Sequence, residues 1–376
     1  MPEHAPTTGR SLRSLITSDG ELRLSLYEQP VPEPGDGQAV VAVEASPINP
    51  SDLGVLIGST DPAELVADGD DLVGRVAPAL LPLYRDRLDK PWPVGNEGAG
   101  TVVAAGAGAK SMIGKRVALF GGSMWADYRV ADAGALVELP DDVSTAEGAA
   151  LFINPLTALS MVETMRAEGH TALVHTAAGS NLGQMLVRIC AADGVGLVNV
   201  VRSDEQVQVL RDIGGDHVVN SSLPDFADRL TDAVSDTGAT LGFDAVGGGS
   251  LAGDILTAME RSQPPLSPWT PYGSTTHKQV YIYGSLDFGP TVVERRFGLS
   301  WGIGGYLLTN ALGRLGGEAI GRMRARVVAE AKTTFHSAYA ETIGLAEVLE
   351  PAVLSVVSRR STGTKYLIDP SRDRPA

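Results

Sequence analysis

The residues best suited to chemistry by type and spacing begin with a run of small side chains: His175-Thr176-Ala177-Ala178-Gly179-Ser180-Asn181-Leu182-Gly183. Set on a G-x-G-x-x-G template, Ala178, Ser180 and Gly183 take the three glycine places. Small side chains there let the backbone turn tightly, approach a pyrophosphate and pack a helix against a strand. The helix N-terminus then offers N–H groups and the positive end of its dipole to the phosphates. The run lies between an apolar strand at 171–175 and a helical pattern at 181–192. That context separates a dinucleotide site from a chance small-residue turn.

The next strand, 196–201, is followed by Arg202 and Ser203. Sites for NAD carry an acidic residue about 20 positions past the glycines, bound to the ribose 2′-hydroxyl. Here that place holds arginine, 19 positions past Gly183 (202 minus 183). A guanidinium with paired donors suits a 2′-phosphate. The expectation is therefore NADPH, with Arg202 and Ser203 in the cofactor-binding set; a solvated arginine on a loop is the alternative.

The elements around these residues alternate. Strands at 171–175, 196–201, 217–219, 240–244 and 279–283 are separated by helical patterns at 181–192, 203–212, 225–234 and 250–260. Such alternation means βαβ units and a parallel sheet covered on both faces. The first third reads as β-rich, with short apolar runs at 40–43, 101–104 and 116–120. Residues 59–93 form a long connection, and such connections are often lids or binding loops; a surface insertion is the other reading. Helical stretches run from about 305 to 331, and a last short strand at 364–368 could pair back with the N-terminal part.

The bulk composition narrows the class. A chain of 376 residues, 43% hydrophobic and 20% charged, fits a soluble two-domain protein. No window approaches the ~18 apolar residues of a membrane span. Residues 1–10 read as a polar, frayed extension, and the protein as cytoplasmic. A net charge of −15 repels phosphate backbones and argues against nucleic acid as a partner. It does not stop a local basic pocket from binding a small anion. The single cysteine, Cys190, excludes an intramolecular disulfide and a cysteine-rich metal site. On its apolar helix it reads as a small buried hydrophobe rather than a reactive thiol.

Several segments together resemble a known family. Pro93-Val94-Gly95-Asn96-Glu97-Gly98-Ala99-Gly100-Thr101-Val102 resembles the G-H-E-x-x-G-x-V signature of medium-chain dehydrogenases/reductases. Ile48-Asn49-Pro50-Ser51-Asp52 and Asn154-Pro155-Leu156-Thr157-Ala158 resemble segments of their zinc-free quinone oxidoreductase branch. The turn at 177–183 looks most like that of the enoyl thioester reductases in that branch. The resemblance implies an α/β protein: a GroES-like β-barrel domain and a doubly wound Rossmann domain. The first would hold residues 1–150 completed by about 335–376, the second residues 151–334, with the active site in the cleft between them.

It also bears on metal. Zinc-dependent relatives use cysteines and the histidine of G-H-E. Here that histidine place is Asn96, and no cysteine lies near Ser46. Catalytic zinc needs three Cys, His or carboxylate ligands, and the six histidines are scattered without metal spacing. Glu97 reads as a brace of the barrel. No metal is therefore expected.

A zinc-free site can still pass hydride to a quinone or an α,β-unsaturated carbonyl, because the resulting oxyanion is delocalised. The protein must orient the reactants and stabilise that charge. By resemblance, Asn49, Asn154 and Thr157 would line the nicotinamide side, with Asn49 and Thr157 in catalytic roles. Turn and cap hydrogen bonding is the alternative for both asparagines. Gly247, Gly284 and Ser285, each after a strand, would pass beneath the nicotinamide. The resemblance implies a small-molecule substrate, reduced as quinone, enone or enoyl thioester. A non-catalytic NADPH-binding role, as in lens crystallins of this branch, is the alternative.

Two further expectations follow from the resemblance. Enoyl thioester reductases carry a tyrosine ahead of the G-x-E segment that protonates or orients the enolate. Ser59 and Thr60 stand where it would first be placed; Tyr84, thirteen residues before Glu97 (97 minus 84), has nearly the family spacing. Arg85 or Arg87 could favour its anion, and an amphipathic tyrosine packed on a lid is the alternative. The strand at 279–283 is expected at the sheet edge. An apolar edge is a liability unless paired, which points to a homodimer.

Overall fold

In a computed structural model of the protein, the described residues are 6–266, 268–359, 363 and 365–374. Residues 1–5 of the expected N-terminal extension, His4 among them, and Thr364 of the expected last strand lie outside them, as does Ser267. The chain divides into two compact units, Met1–Ile153 with Ala331–Ala376, and Asn154–Glu330.

In the first unit, Thr8–Ile16 and Glu21–Pro30 form an antiparallel pair from Thr8↔Pro30 to Ile16↔Leu22. Leu12, Ile16, Leu22 and Leu24 are fully buried, at the two-residue spacing that a strand with one core face requires. Residues 8–10 are thus not frayed: they begin a strand whose apolar period becomes legible only from Leu12 onward. Arg10 anchors this start, with its guanidinium 3.0 Å from the Asp127 carboxylate and 2.9 Å from that of Asp373.

The 59–93 stretch is woven into the same sheet. Val66–Asp68 and Asp71–Arg75 make a hairpin paired to Glu21–Pro30. Leu65, Leu72 and Val76 enter the main core of the unit. Pro78–Tyr84 follows as a 3-10 helix. A second sheet centres on Gln38–Pro47, which pairs with Glu97–Ala105, Tyr128–Asp132 and Tyr366–Ile368. Through Leu367↔Pro47 and Ile368↔Ser46 the end of the chain returns to the N-terminal strands.

The main sheet of the second unit has six parallel strands among the described residues. Their order is His217–Asn220, Gly196–Val201, Ala172–His175, Leu241–Asp244, Lys278–Ile282, Trp301–Gly305. This is the doubly wound order of a dinucleotide-binding domain. Apolar runs fill the strands because helices cover them. Val174, Val198 and Val200 share one core with Leu230 and Val234 of the helix Phe226–Thr237 and Ile255 and Met259 of the helix Leu251–Arg261.

One expectation is corrected here. The strand at 279–283 does not lie at the sheet edge; Trp301–Gly305 pairs along it, from Lys278↔Trp301 to Ile282↔Gly305. The sequence Trp-Gly-Ile-Gly-Gly has too much glycine to read as a strand, since glycine is depleted there. The helix that follows, Leu308–Ala329, starts after it and breaks at Gly316. Among the described residues no helix is long and apolar enough to cross a membrane.

Candidate functional site

The small-residue turn leaves the strand Ala172–His175 and enters the helix Asn181–Asp193. Ala177 takes a left-handed conformation, φ 50°, which a non-glycine residue adopts at a cost. The turn is held by the Ala178 N–H, which donates to the Val200 carbonyl at 3.1 Å. Ser180 caps the helix by accepting from the Gly183 N–H at 3.2 Å. A Cβ on Gly183 would lie 2.2 Å from the Ala178 carbonyl oxygen, so only glycine lets the helix start pack this closely on the turn. Leu182 is buried and Asn181 half-buried at the first helical turn, where N–H groups have no intrahelical acceptor.

The end of the second strand comes to the same place. Gln206 accepts from the Arg202 N–H at 3.1 Å and donates its own N–H to Ser203 Oγ at 3.4 Å. A Cβ on Gly179 would lie 3.2 Å from the Gln206 side chain. Gly179, Arg202, Ser203 and Gln206 therefore form one surface beside the helix N-terminus. The Arg202 side chain is exposed.

The other strand ends are organised by a carboxylate that the sequence did not single out. Asp244, fully buried, accepts from the Thr176 hydroxyl at 2.7 Å and from the N–H groups of Val246 at 2.9 Å and Gly247 at 3.1 Å. Thr176 Oγ1 in turn accepts from the Ala245 N–H at 2.8 Å. The loops after two neighbouring strands then touch: a Cβ on Gly247, at φ 80°, would lie 2.7 Å from the Gly284 carbonyl oxygen. Ser285 is exposed beside Gly284. Tyr283 bonds the buried His175 at 2.7 Å. Burial pushes the His175 imidazole down to about 3. Burial, with the Asp244 charge behind it, pushes the Tyr283 phenol above its usual range. Thr157 is buried and Asn154 half-buried in the helix Ile153–Ala167.

Asn49 lies in the first unit, 2% exposed, and caps the helix Pro50–Leu56. Its side-chain amide donates to Glu97 Oε1 at 2.9 Å. Glu97 Oε2 accepts from the N–H groups of Phe152 at 2.9 Å and Ile153 at 2.8 Å. Asp52 accepts from the N–H groups of Asn49 and Asn96, each at 2.8 Å. Burial raises the Glu97 carboxyl, against the pull of Lys365 and the N–H donors, and raises that of Asp52 to about 7. Asn49 Oδ1 is buried without a hydrogen-bond partner.

Tyr84 lies elsewhere in that unit. Its hydroxyl donates to Ser59 Oγ at 3.1 Å, beyond the far end of the helix Pro50–Leu56 from Asn49. Seven residues of helix separate them by about 10 Å. Arg85 is exposed and sits 3.7 Å from Asp86. Arg87 lies over the Tyr84 ring, 5.9 Å from its centroid, and gives its N–H groups to Val55 O at 2.9 Å and Ser14 Oγ at 2.8 Å.

A GroES-like unit, a doubly wound unit and a glycine-closed strand-to-helix turn together make a two-domain α/β architecture. The model of the alcohol dehydrogenase GroES-like domain matches residues 35–141. The mitochondrial enoyl-(acyl-carrier-protein) reductase of Caenorhabditis elegans is 30% identical over 204 residues, 52% of this chain and 52% of the relative. That of Xenopus tropicalis is 32% identical over 229 residues, 57% of this chain and 58% of the relative. The matched region thus spans just over half the length of these curated relatives. The structure of a protein assigned as an NADPH:quinone reductase from Mesorhizobium loti superposes with a TM-score of 0.72 at 29% identity, covering 98% of this chain and 100% of that one. The chain is thus similar to quinone and enoyl reductases and carries a segment that matches the alcohol dehydrogenase GroES-like domain.

Proposed function

We propose that this protein is an NADPH-dependent reductase of small molecules, acting on a quinone or on an α,β-unsaturated carbonyl or enoyl thioester. The observation that carries the reading is the surface formed by the Ala178–Gly183 turn with Arg202. The N-terminus of the helix Asn181–Asp193 faces the pyrophosphate, small side chains admit it, and the exposed guanidinium of Arg202 holds the 2′-phosphate. The enoyl and quinone reductases among the relatives support the same reading. NADPH supplies the hydride when bound. Gly247, Gly284 and Ser285 shape the nicotinamide end, with Asn154 and Thr157 of the helix Ile153–Ala167 as further lining residues. Asn49, with its amide fixed by Glu97, presents its buried Oδ1 as an acceptor.

The reaction needs no zinc. Where zinc-dependent relatives carry a ligating histidine, the Asn96 amide donates to Ser51 Oγ at 3.0 Å. The Ser46 hydroxyl donates to the Glu97 carbonyl at 2.7 Å. An amide and an occupied hydroxyl are poor zinc ligands beside thiolate and imidazole. The protein works as a homodimer joined along the open edge of the strand Trp301–Gly305.

The test is NADPH oxidation over a panel of quinones, enones and enoyl thioesters, with NADPH binding measured separately. Turnover on at least one class is expected. Binding without turnover on any would leave a non-catalytic NADPH-binding protein, and absence of binding would end the reading.

A further inference from the structure

The rings of His175 and Tyr283 lie face to face, with centroids 5.8 Å apart at 19°, and Nε2 of His175 is 2.7 Å from the Tyr283 hydroxyl. His175 ends the strand that feeds the phosphate turn. Tyr283 follows the strand Lys278–Ile282 and leads into Gly284-Ser285. The strand Leu241–Asp244 runs between those two, so the pair bridges it and joins two loops of the cofactor site.

The protonation pattern of this pair can be argued. His175 is fully buried, and its Nδ1 has no hydrogen-bond partner. Burial alone, with no charged neighbour contributing, keeps the ring neutral. A neutral imidazole carries one N–H. On Nδ1 that N–H would be buried without an acceptor, and such orphaned donors are rarer in proteins than under-satisfied acceptors. On Nε2 it meets the Tyr283 oxygen, and only a bare lone pair is left unpaired. Nε2–H therefore donates and Tyr283 Oη accepts. The phenolic proton must then point elsewhere, and the Tyr283 hydroxyl has no second partner among the described residues. Tyr283 lines a cavity of about 450 Å³ together with Gly284, Ser285, Tyr306, Asn310 and Arg314.

We propose that His175, as its Nε2–H tautomer, makes the Tyr283 hydroxyl a dedicated hydrogen-bond donor to a carbonyl-type oxygen of the ligand in this cavity. His175 is a positioning residue, and Tyr283 is a binding residue rather than an acid, because its burial holds the proton on the phenol. The oxygen is either the carboxamide of a bound nicotinamide or the carbonyl of the acceptor. This inference rests on the proposed reductase reading for the ligand, but the tautomer does not.

The tautomer is read without any ligand, by nitrogen-15 NMR of the histidine side chains, with His175 assigned by its loss in His175→Gln. Nε2 protonated and Nδ1 bare at neutral pH is the expected result; an Nδ1–H tautomer or an imidazolium there overturns the proposal. The donor is then tested in Tyr283→Phe, which keeps the ring. Loss of one neutral hydrogen bond weakens binding by about 2- to 12-fold. If NADPH affinity, titrated by fluorescence without acceptor, falls by that factor, the oxygen is the carboxamide. If NADPH affinity holds and KM for the acceptor rises by that factor, it is the acceptor's carbonyl. Neither change, in a variant with unaltered circular dichroism, overturns the donor role. His175→Gln, whose amide can still donate to Tyr283, should retain the affinity that His175→Leu loses. A merely structural role would lower the melting temperature of both without that split. Failure of NADPH to bind the wild type would sink the reductase reading and leave the tautomer result standing.

Discussion

The Tyr84 hydroxyl donates to Ser59 Oγ across 3.1 Å, so the 3-10 helix Pro78–Tyr84 closes onto the beginning of the 59–93 stretch. The two places in the sequence where a proton donor could stand, just after Gly58 and thirteen residues before Glu97 (97 minus 84), are one place in space. A Cβ on Gly58, at φ 59°, would lie 2.6 Å from the Tyr84 oxygen. Ser59, accepting from Tyr84, keeps its own proton to pass on. If this pair protonates the enolate, Tyr84→Phe lowers enone or enoyl thioester turnover by ~10²–10⁴ with NADPH affinity intact, and Ser59→Ala has a smaller effect of the same kind. Stopped-flow single turnovers would show it. Unchanged turnover in Tyr84→Phe on every active substrate removes Tyr84 from the mechanism. Loss on enones with quinone reduction intact points to an enoyl reductase, since a quinone's product takes its proton from water.

Cofactor choice is predicted to rest on Arg202. Arg202 is exposed at the end of the strand Gly196–Val201, and Arg202→Ala removes one charge-assisted contact to a 2′-phosphate. NADPH binding should weaken by roughly 1.5–3 kcal/mol while NADH binding barely moves. Isothermal titration with both cofactors decides it. Equal affinities in the wild type would refute the assignment.

Gly183→Ala should damage the turn that the motif encodes. The new Cβ would sit 2.2 Å from the Ala178 carbonyl oxygen, a backbone atom, and neither helix nor turn can yield without the other. A loss of about 3 kcal/mol, the upper end of ordinary overpacking, should appear as a lower urea midpoint. NADPH affinity should fall with it. A variant as stable as the wild type would mean that the helix start shifts freely.

The parallel sheet was legible because its strands are apolar runs and its helices are periodic; Val174, Val198 and Val200 announce themselves locally. The strand Trp301–Gly305 was not, because three of its five residues are glycine and its strand character comes from pairing with Lys278–Ile282. Asp244, His175 and Tyr283 were invisible for a different reason. Each reads alone as part of an apolar strand, and its role exists only through a partner distant in sequence, 68 residues for Asp244 with Thr176 and 108 for His175 with Tyr283. The small-residue turn sits at the opposite extreme, since its whole pattern fits within the nine consecutive residues 175–183.

The open edge of Trp301–Gly305 is predicted to pair with a second copy. Its N–H and C=O groups on the side away from Lys278–Ile282 have no neighbouring strand among the described residues, and such edges invite pairing. Light scattering at micromolar concentration should give twice the chain mass. Ile303→Pro, which removes one ladder donor, should shift the species toward monomer. A monomeric wild type would refute the prediction.

The last prediction concerns acid. An unfolded imidazole takes up a proton near pH 6.5, whereas buried His175 does so only near about 3. Between those values the unfolded chain binds more protons than the folded one, so stability rises with pH across that window. The contribution of His175 is therefore fully present above pH 6.5 and is lost as pH falls toward 3. At 1.36 kcal/mol per unit, the loss is roughly 3 kcal/mol by pH 4.5. Asp52 and Glu97, whose burial pushes their carboxyls up, act in the opposite sense, since they gain protons on folding. Whole-protein profiles therefore blur the effect, and the difference between wild type and His175→Gln isolates it. Glutamine does not titrate, so the variant should gain on the wild type by about that amount between pH 7 and pH 4.5 in urea melts. Parallel pH profiles for the two proteins would show that His175 is protonated in the fold, or that acid opens its pocket before the imidazole resists.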